Sequence, residues 1–166
     1  MKNYKHLLRA AYLLICLLSS SLISAQDVSV TVTVDTDGIW NDVNQIKNYV
    51  KLSDGTSTVD FGGNHKNFET TLGVSKEIEW LGAAKNAGST DVIAIEHIIM
   101  KRDVSGNTKL LEKESYDNPG NGKVRGKAIS VPTPNKKHHY YIQFSITRGG
   151  EKKNFVIDPK IRLGGT

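Results

Sequence analysis

The chain has 166 residues and a formal charge of +5, room for one domain and scarcely for two. Lys2, Lys5 and Arg9 supply three of those charges, so residues 26–166 sit near neutrality at +2, which argues against a nucleic-acid partner. Cys16 is the single cysteine, which excludes an intramolecular disulfide framework.

The first 25 residues read as a secretory signal peptide, a helix-forming leader removed on export. Lys2, Lys5 and Arg9 form a basic stretch, Ala10–Leu18 is apolar apart from Tyr12, and a serine-rich segment ends on Ala25. Cleavage is expected between Ala25 and Gln26. The apolar run is short for a permanent membrane span. Lipidation at Cys16 would shorten it to Ala10–Ile15, below the usual minimum of about seven residues. The expected product, residues 26–166, therefore carries no cysteine, no membrane span and no thiolate chemistry. Its compartment is the periplasm, the cell surface or the medium, in keeping with a bacterial exported domain.

The rest of the chain reads as short strands. Val28, Val30, Val32 and Val34 alternate with Ser29, Thr31 and Thr33, a strand with one wet face. Asp35-Thr36-Asp37-Gly38 breaks it, and Ile39–Asn44 reads as irregular. Further strands are expected over Ile46–Leu52, Thr58–Phe61, Phe68–Leu72 and Glu77–Leu81, with Ile78 and Trp80 inward. Asp91–Met100 is the most apolar segment and reads as a central strand covered on both faces. Ser105-Gly106-Asn107 turns it into Thr108–Glu114. Tyr116–Gly122 reads as a loop and Val124–Val131 as a strand. In the segment His138–Thr147, Tyr140, Ile142, Phe144 and Ile146 alternate inward with Tyr141, Gln143, Ser145 and Thr147 outward. Strands over Lys152–Ile157 and Ile161–Leu163 close the chain. Sustained helical periodicity is missing, and the predicted fold is an all-β, antiparallel β-sandwich of the Ig-like or jelly-roll-like kind.

The chemistry-bearing residues are sparse. Asp35-Thr36-Asp37-Gly38 begins like a calcium loop, but Ile39 and Ile46 stand where the EF-hand needs ligands. A looser site from Asp35, Asp37 and Asp42 suits a hard cation, whereas the same residues equally make a strand-ending turn. His138 and His139 point to opposite faces of a strand and cannot share one ion there. Of Glu96 and His97, one is expected to face inward and find a hydrogen-bond partner. No Gly-x-Ser-x-Gly elbow and no phosphate-binding glycine loop occurs. No cofactor and no resident metal are expected. Lys136–Tyr141 mixes charge with aromatic rings and has two readings, an anion or glycan contact and a solvated turn. Trp40 lies in the loop, where it can stack on a ligand or plug one end of the sandwich.

One set of residues carries a family likeness. Val34-Asp35-Thr36-Asp37 after a strand, Ile78-Glu79-Trp80-Leu81-Gly82 in mid-chain, a closing strand with Tyr141, Phe144 and Ile146, and Ile157-Asp158-Pro159-Lys160-Ile161 after it resemble the bacterial inclusion body proteins that include AidA and PixA. The resemblance implies a β-sandwich without catalytic activity and assigns no functional residue. Typical members are cytoplasmic, so the leader is a departure from the pattern.

The leading expectation is thus an exported, non-enzymatic β-sandwich that binds a glycan, a cation or a protein, or associates with itself as a homo-oligomer. The expected ligand surface is Asp35, Asp37, Trp40, Asn41 and Asp42. The alternatives are a small hydrolase or metal-dependent enzyme using carboxylates and His97, and an envelope structural protein.

Overall fold

A computed structural model describes residues 27–101, 109–129 and 137–164. The expected leader, its cleavage site and the turn at residues 105–107 lie outside the described residues. The alternating valines form β1 (Val28–Val34), with Val30, Val32 and Val34 fully buried. Two short helices follow, α1 (Thr36–Asn41) and α2 (Ile46–Tyr49), joined by a 3-10 turn over Val43–Gln45. Next come β2 (Val50–Ser53), β3 (Thr58–Val59), a 3-10 turn at His65–Asn67, and β4 (Glu69–Leu72). β5 (Glu77–Ala84), β6 (Val92–Met100), β7 (Ser115–Asp117) and β8 (Lys123–Lys127) precede the long β9 (Lys137–Arg148). β10 (Glu151–Ile157) and β11 (Lys160–Leu163) end the described chain.

The strands make an all-β sandwich of two sheets. One runs β3-β2-β1-β5-β8 and the other β4-β11-β9-β6-β7, with β10 also on β9. Both sheets are mixed, which corrects the purely antiparallel expectation. β1 pairs parallel with β5 from Val28↔Ile78 to Val34↔Ala84, and β4 pairs parallel with β11. Such pairings join segments far apart in sequence, so no local turn announces them.

The core lies between the sheets. Trp80 from the first sheet and Tyr140 from the second are both fully buried. The Trp80 indole N–H donates to the Tyr140 hydroxyl at 3.1 Å, and the rings meet tilted at 5.8 Å. Buried polar groups are kept only when paired, and this bond ties the two sheets together across their apolar interface. Burial pushes the Tyr140 phenol pKa upward, since the interior disfavours its anion. Where β5 passes β6, Gly82 lets the sheets close up: a Cβ there would stand 2.8 Å from the Ile93 carbonyl oxygen.

Other expectations need correction. The segment around Trp40 is helical because Asp35 caps it, accepting from the Gly38 amide at 3.2 Å. Ile46–Tyr49 is also helical, and the strand begins only at Val50. β6 is not covered on both faces: Ile95 and Ile98 are buried while Val92 is 59% exposed. Its return strand is Ser115–Asp117, running into the expected loop, rather than Thr108–Glu114. In β9 the four predicted inward residues are all buried. Ser145, expected outward, is buried too, because its hydroxyl donates to Glu96.

Candidate functional site

The Asp35–Asp42 segment is an ordered cap on one end of the sandwich. Thr36 and Ile39 are buried, and half-buried Trp40 packs against the core, an i, i+3, i+4 face on a single helical turn and a half. Two of the carboxylates have separate partners. Asp35 accepts from Lys85 Nζ at 2.8 Å, and that bond, aided by the Gly38 amide, holds its carboxyl below the usual range. Asp37 accepts from Arg148 Nη2 at 2.8 Å. Asn41 donates its side-chain N–H to the Asp37 carbonyl at 2.9 Å. The Asp42 amide closes the helix onto the Gly38 carbonyl.

The residue at the centre of this end gave no signal in the sequence. Arg148, the last residue of β9, forms a bidentate fork on Asp91: Nε reaches Oδ1 at 3.0 Å and Nη2 reaches Oδ2 at 2.6 Å. The same Nη2 contacts Asp37 and the Thr36 hydroxyl, and the guanidinium lies 5.2 Å from the Trp40 ring centroid. Lys153 stands 4.2 Å from the same ring and donates to the Trp40 carbonyl at 3.3 Å. Two cations therefore attend one indole, a cation–π arrangement that fixes the ring. The Arg148 bonds push the Asp91 carboxyl far below the ordinary carboxylate range, and Asp91 in turn tightens the Arg148 proton.

Asp35 and Asp37 thus turn to different cations, Lys85 and Arg148, rather than to one point. Among the described residues, no group of three or more His, Asp or Glu side chains is placed to hold a metal ion. The histidines are also separate. His97 is exposed and its Nδ1 lies 2.7 Å from Asp117. Glu96 is the partly covered member of that pair, held by Ser145 and by Lys152 at 2.8 Å. Burial opposes ionisation of Glu96, but these two bonds outweigh it and lower its pKa. His138 is buried while His139 is on the other face, 3.5 Å from Asp158, whose second oxygen accepts from Lys101 at 2.6 Å.

A second feature was not legible in the sequence. A groove runs between β10 and the α2 and His65 turns. Its two recesses, of about 550 and 470 Å³, share Ile46 and Val156. Val43, Ile46 and Phe155 line one part; Lys47, Asn64, His65, Lys66 and Asp158 line the other. Val43 and Val156 are 45% and 46% exposed.

His65, at the groove's basic end, is buried with Nε2 3.0 Å from the Val50 carbonyl. Burial lowers its pKa from the ordinary 6.5, with the Val50 bond opposing. The unfolded chain therefore takes up a proton below pH 6.5 that the folded ring resists, so His65 stabilises the fold above 6.5 and this contribution is lost as pH falls. Urea midpoints of wild type and His65→Gln measured at descending pH should show this slope in the wild type and its reduction in the variant.

No protein-family model matches the sequence, and no curated protein matches it. In structure, the chain is similar to a crystal structure of the inclusion body protein PixA from Burkholderia cenocepacia, at a TM-score of 0.53 and 14% identity, over 89% of this chain and all of the other. At that identity the likeness is one of fold, and it bears out the β-sandwich that the sequence resemblance implied: this chain shares the fold of a PixA-type inclusion body protein.

Proposed function

We propose that this protein is exported and acts without catalysis, by association with copies of itself in the first instance. The observation that carries the reading is the exposed pair Val43 and Val156 flanking the groove beside β10. Large aliphatic side chains left in water beside a strand edge favour docking over solvation. The carboxylates a hydrolase would need are engaged in structural pairs instead: Asp35 with Lys85, Asp91 with Arg148, and Glu96 with Lys152. The fold neighbour is itself described as an inclusion body protein, which supports a packing role over turnover.

Cross-linking of cells that express the full chain tests this. The exported fraction should contain cross-linked multimers of a product whose intact mass begins at Gln26. A full-length cell-retained chain would contradict export, and an exported product that cross-links only within itself would contradict self-association.

A further inference from the structure

β10 is an incomplete part of its sheet. β10 and β11 lie end to end along one side of β9: β10 pairs with Ile142–Arg148 and β11 with Lys137–His139. Beyond β11 the sheet continues into β4, which pairs with it from Lys160↔Glu69 to Leu163↔Leu72. Beyond β10 it does not; among the described strands, β9 is β10's partner. Among the described residues, no strand continues the row that β4 occupies along the length of β10, and the groove lies along that edge, lined continuously by Lys153–Asp158.

The hairpin geometry says which backbone groups face it. Gly149 and Gly150, with φ of 55° and 87°, form the two-residue turn that only glycine-like residues adopt readily. Such a turn makes Arg148↔Glu151 a hydrogen-bonded pair, and alternation then directs the backbone groups of Lys153, Phe155 and Ile157 toward β9. The N–H and C=O groups of Lys152, Asn154 and Val156 point the other way, into the groove. An unpaired edge of this kind is a template for an added strand.

The side chains around it set the chemistry. Val43, Ile46, Phe155 and Val156 form an apolar stretch. At the other end stand Lys47 and Lys66, which form no ion pair among the described residues. The acid in that wall, Asp158, is already held by Lys101. The net character there is cationic.

We infer that this slot receives an extended peptide segment of a partner protein, added as a strand along β10, with alternate apolar side chains against Val43 and Val156 and an acidic residue near Lys47 and Lys66. The inference rests on the part of that reading in which the protein acts by binding rather than catalysis, not on self-association, and it names a partner class.

A displayed random-peptide library panned on the purified exported protein tests it. Selected peptides should alternate apolar and polar residues and carry an acid toward one end. One such peptide, made synthetically with a fluorophore, should bind wild type and lose about tenfold in affinity to Lys47→Glu/Lys66→Glu, the effect of reversing two exposed charges. Asn154→Pro should weaken it similarly. Its missing N–H is one that faces the groove, so the β9 ladder is retained, and an unchanged melting temperature checks this. Methylating alternate backbone nitrogens of the peptide should abolish binding without touching the protein. Failure to select any peptide, or binding that survives both Asn154→Pro and peptide methylation, overturns the inference. So does a groove that takes only dodecanoate, a small amphiphile. If the Asn154→Pro variant fails to self-associate while no peptide binds, the slot belongs to a second copy: the peptide inference falls and the association reading stands. If the protein stays monomeric and binds the peptide, self-association falls and the peptide inference stands.

Discussion

Replacing Trp80 by alanine should cost about 3–5 kcal/mol, the range of large aromatic truncations in a closed core. Trp80 is fully buried, and the substitution removes its ring contact with Tyr140 and leaves the Tyr140 hydroxyl without its donor. A domain of this size holds about 5–15 kcal/mol in all, so the variant loses a large share of its stability. Denaturant unfolding followed by circular dichroism measures the effect. Tyr140→Phe removes only the hydroxyl and should cost about 1–2 kcal/mol. If Trp80→Ala unfolds at the wild-type midpoint, the tie between the sheets is not where the stability lies.

The second large effect is expected at the Arg148–Asp91 fork. Asp91 is 7% exposed at its side chain and Arg148 28%. Removing the acid strands a partly covered guanidinium, but Asp37 remains to receive it, so Asp91→Ala should cost about 2–3 kcal/mol rather than the larger figure for a fully buried pair. Asp37→Ala, with its carboxylate in solvent, should cost well under about 1 kcal/mol. The pH dependence follows from the depressed Asp91 pKa. Its contribution is complete above the unfolded value of 3.8 and disappears as pH falls through the lower folded value. Wild type should therefore lose stability on acidification below pH 3.8 more steeply than Asp91→Asn. The Trp40 fluorescence of Asp91→Ala should also change, because the cation over the ring loses its anchor.

Much of the fold could be read from alternation, and the reason is exposure. β1 and β9 each have one buried and one wetter face, so valines and aromatics recur at every second position. β6 misled because its run of isoleucines implies two covered faces, whereas Val92 and His97 lie outside. α1 is too short for a period to repeat. Its one signal was local: Asp35 placed to cap, then Thr36, Ile39 and Trp40 at i, i+3 and i+4.

The candidate site was half legible for a different reason. Asp35, Asp37, Trp40, Asn41 and Asp42 stand together in sequence and do share one end of the sandwich. What each side chain does there is decided by residues far away. Lys85 is 50 positions from Asp35, and Arg148 is 111 from Asp37 and 57 from Asp91. No spacing rule reaches across such distances. The groove beside β10 was hidden for the same reason, since its two walls are brought together only by the sheet order.

The most direct test of action by association is sedimentation velocity of the purified exported protein, from low micromolar to several hundred micromolar. The weight-average sedimentation coefficient should rise with concentration, and Val156→Lys, which charges the exposed apolar pair without entering the core, should hold it near the monomer value. A single monomer boundary at every concentration, identical in wild type and variant, would contradict the account.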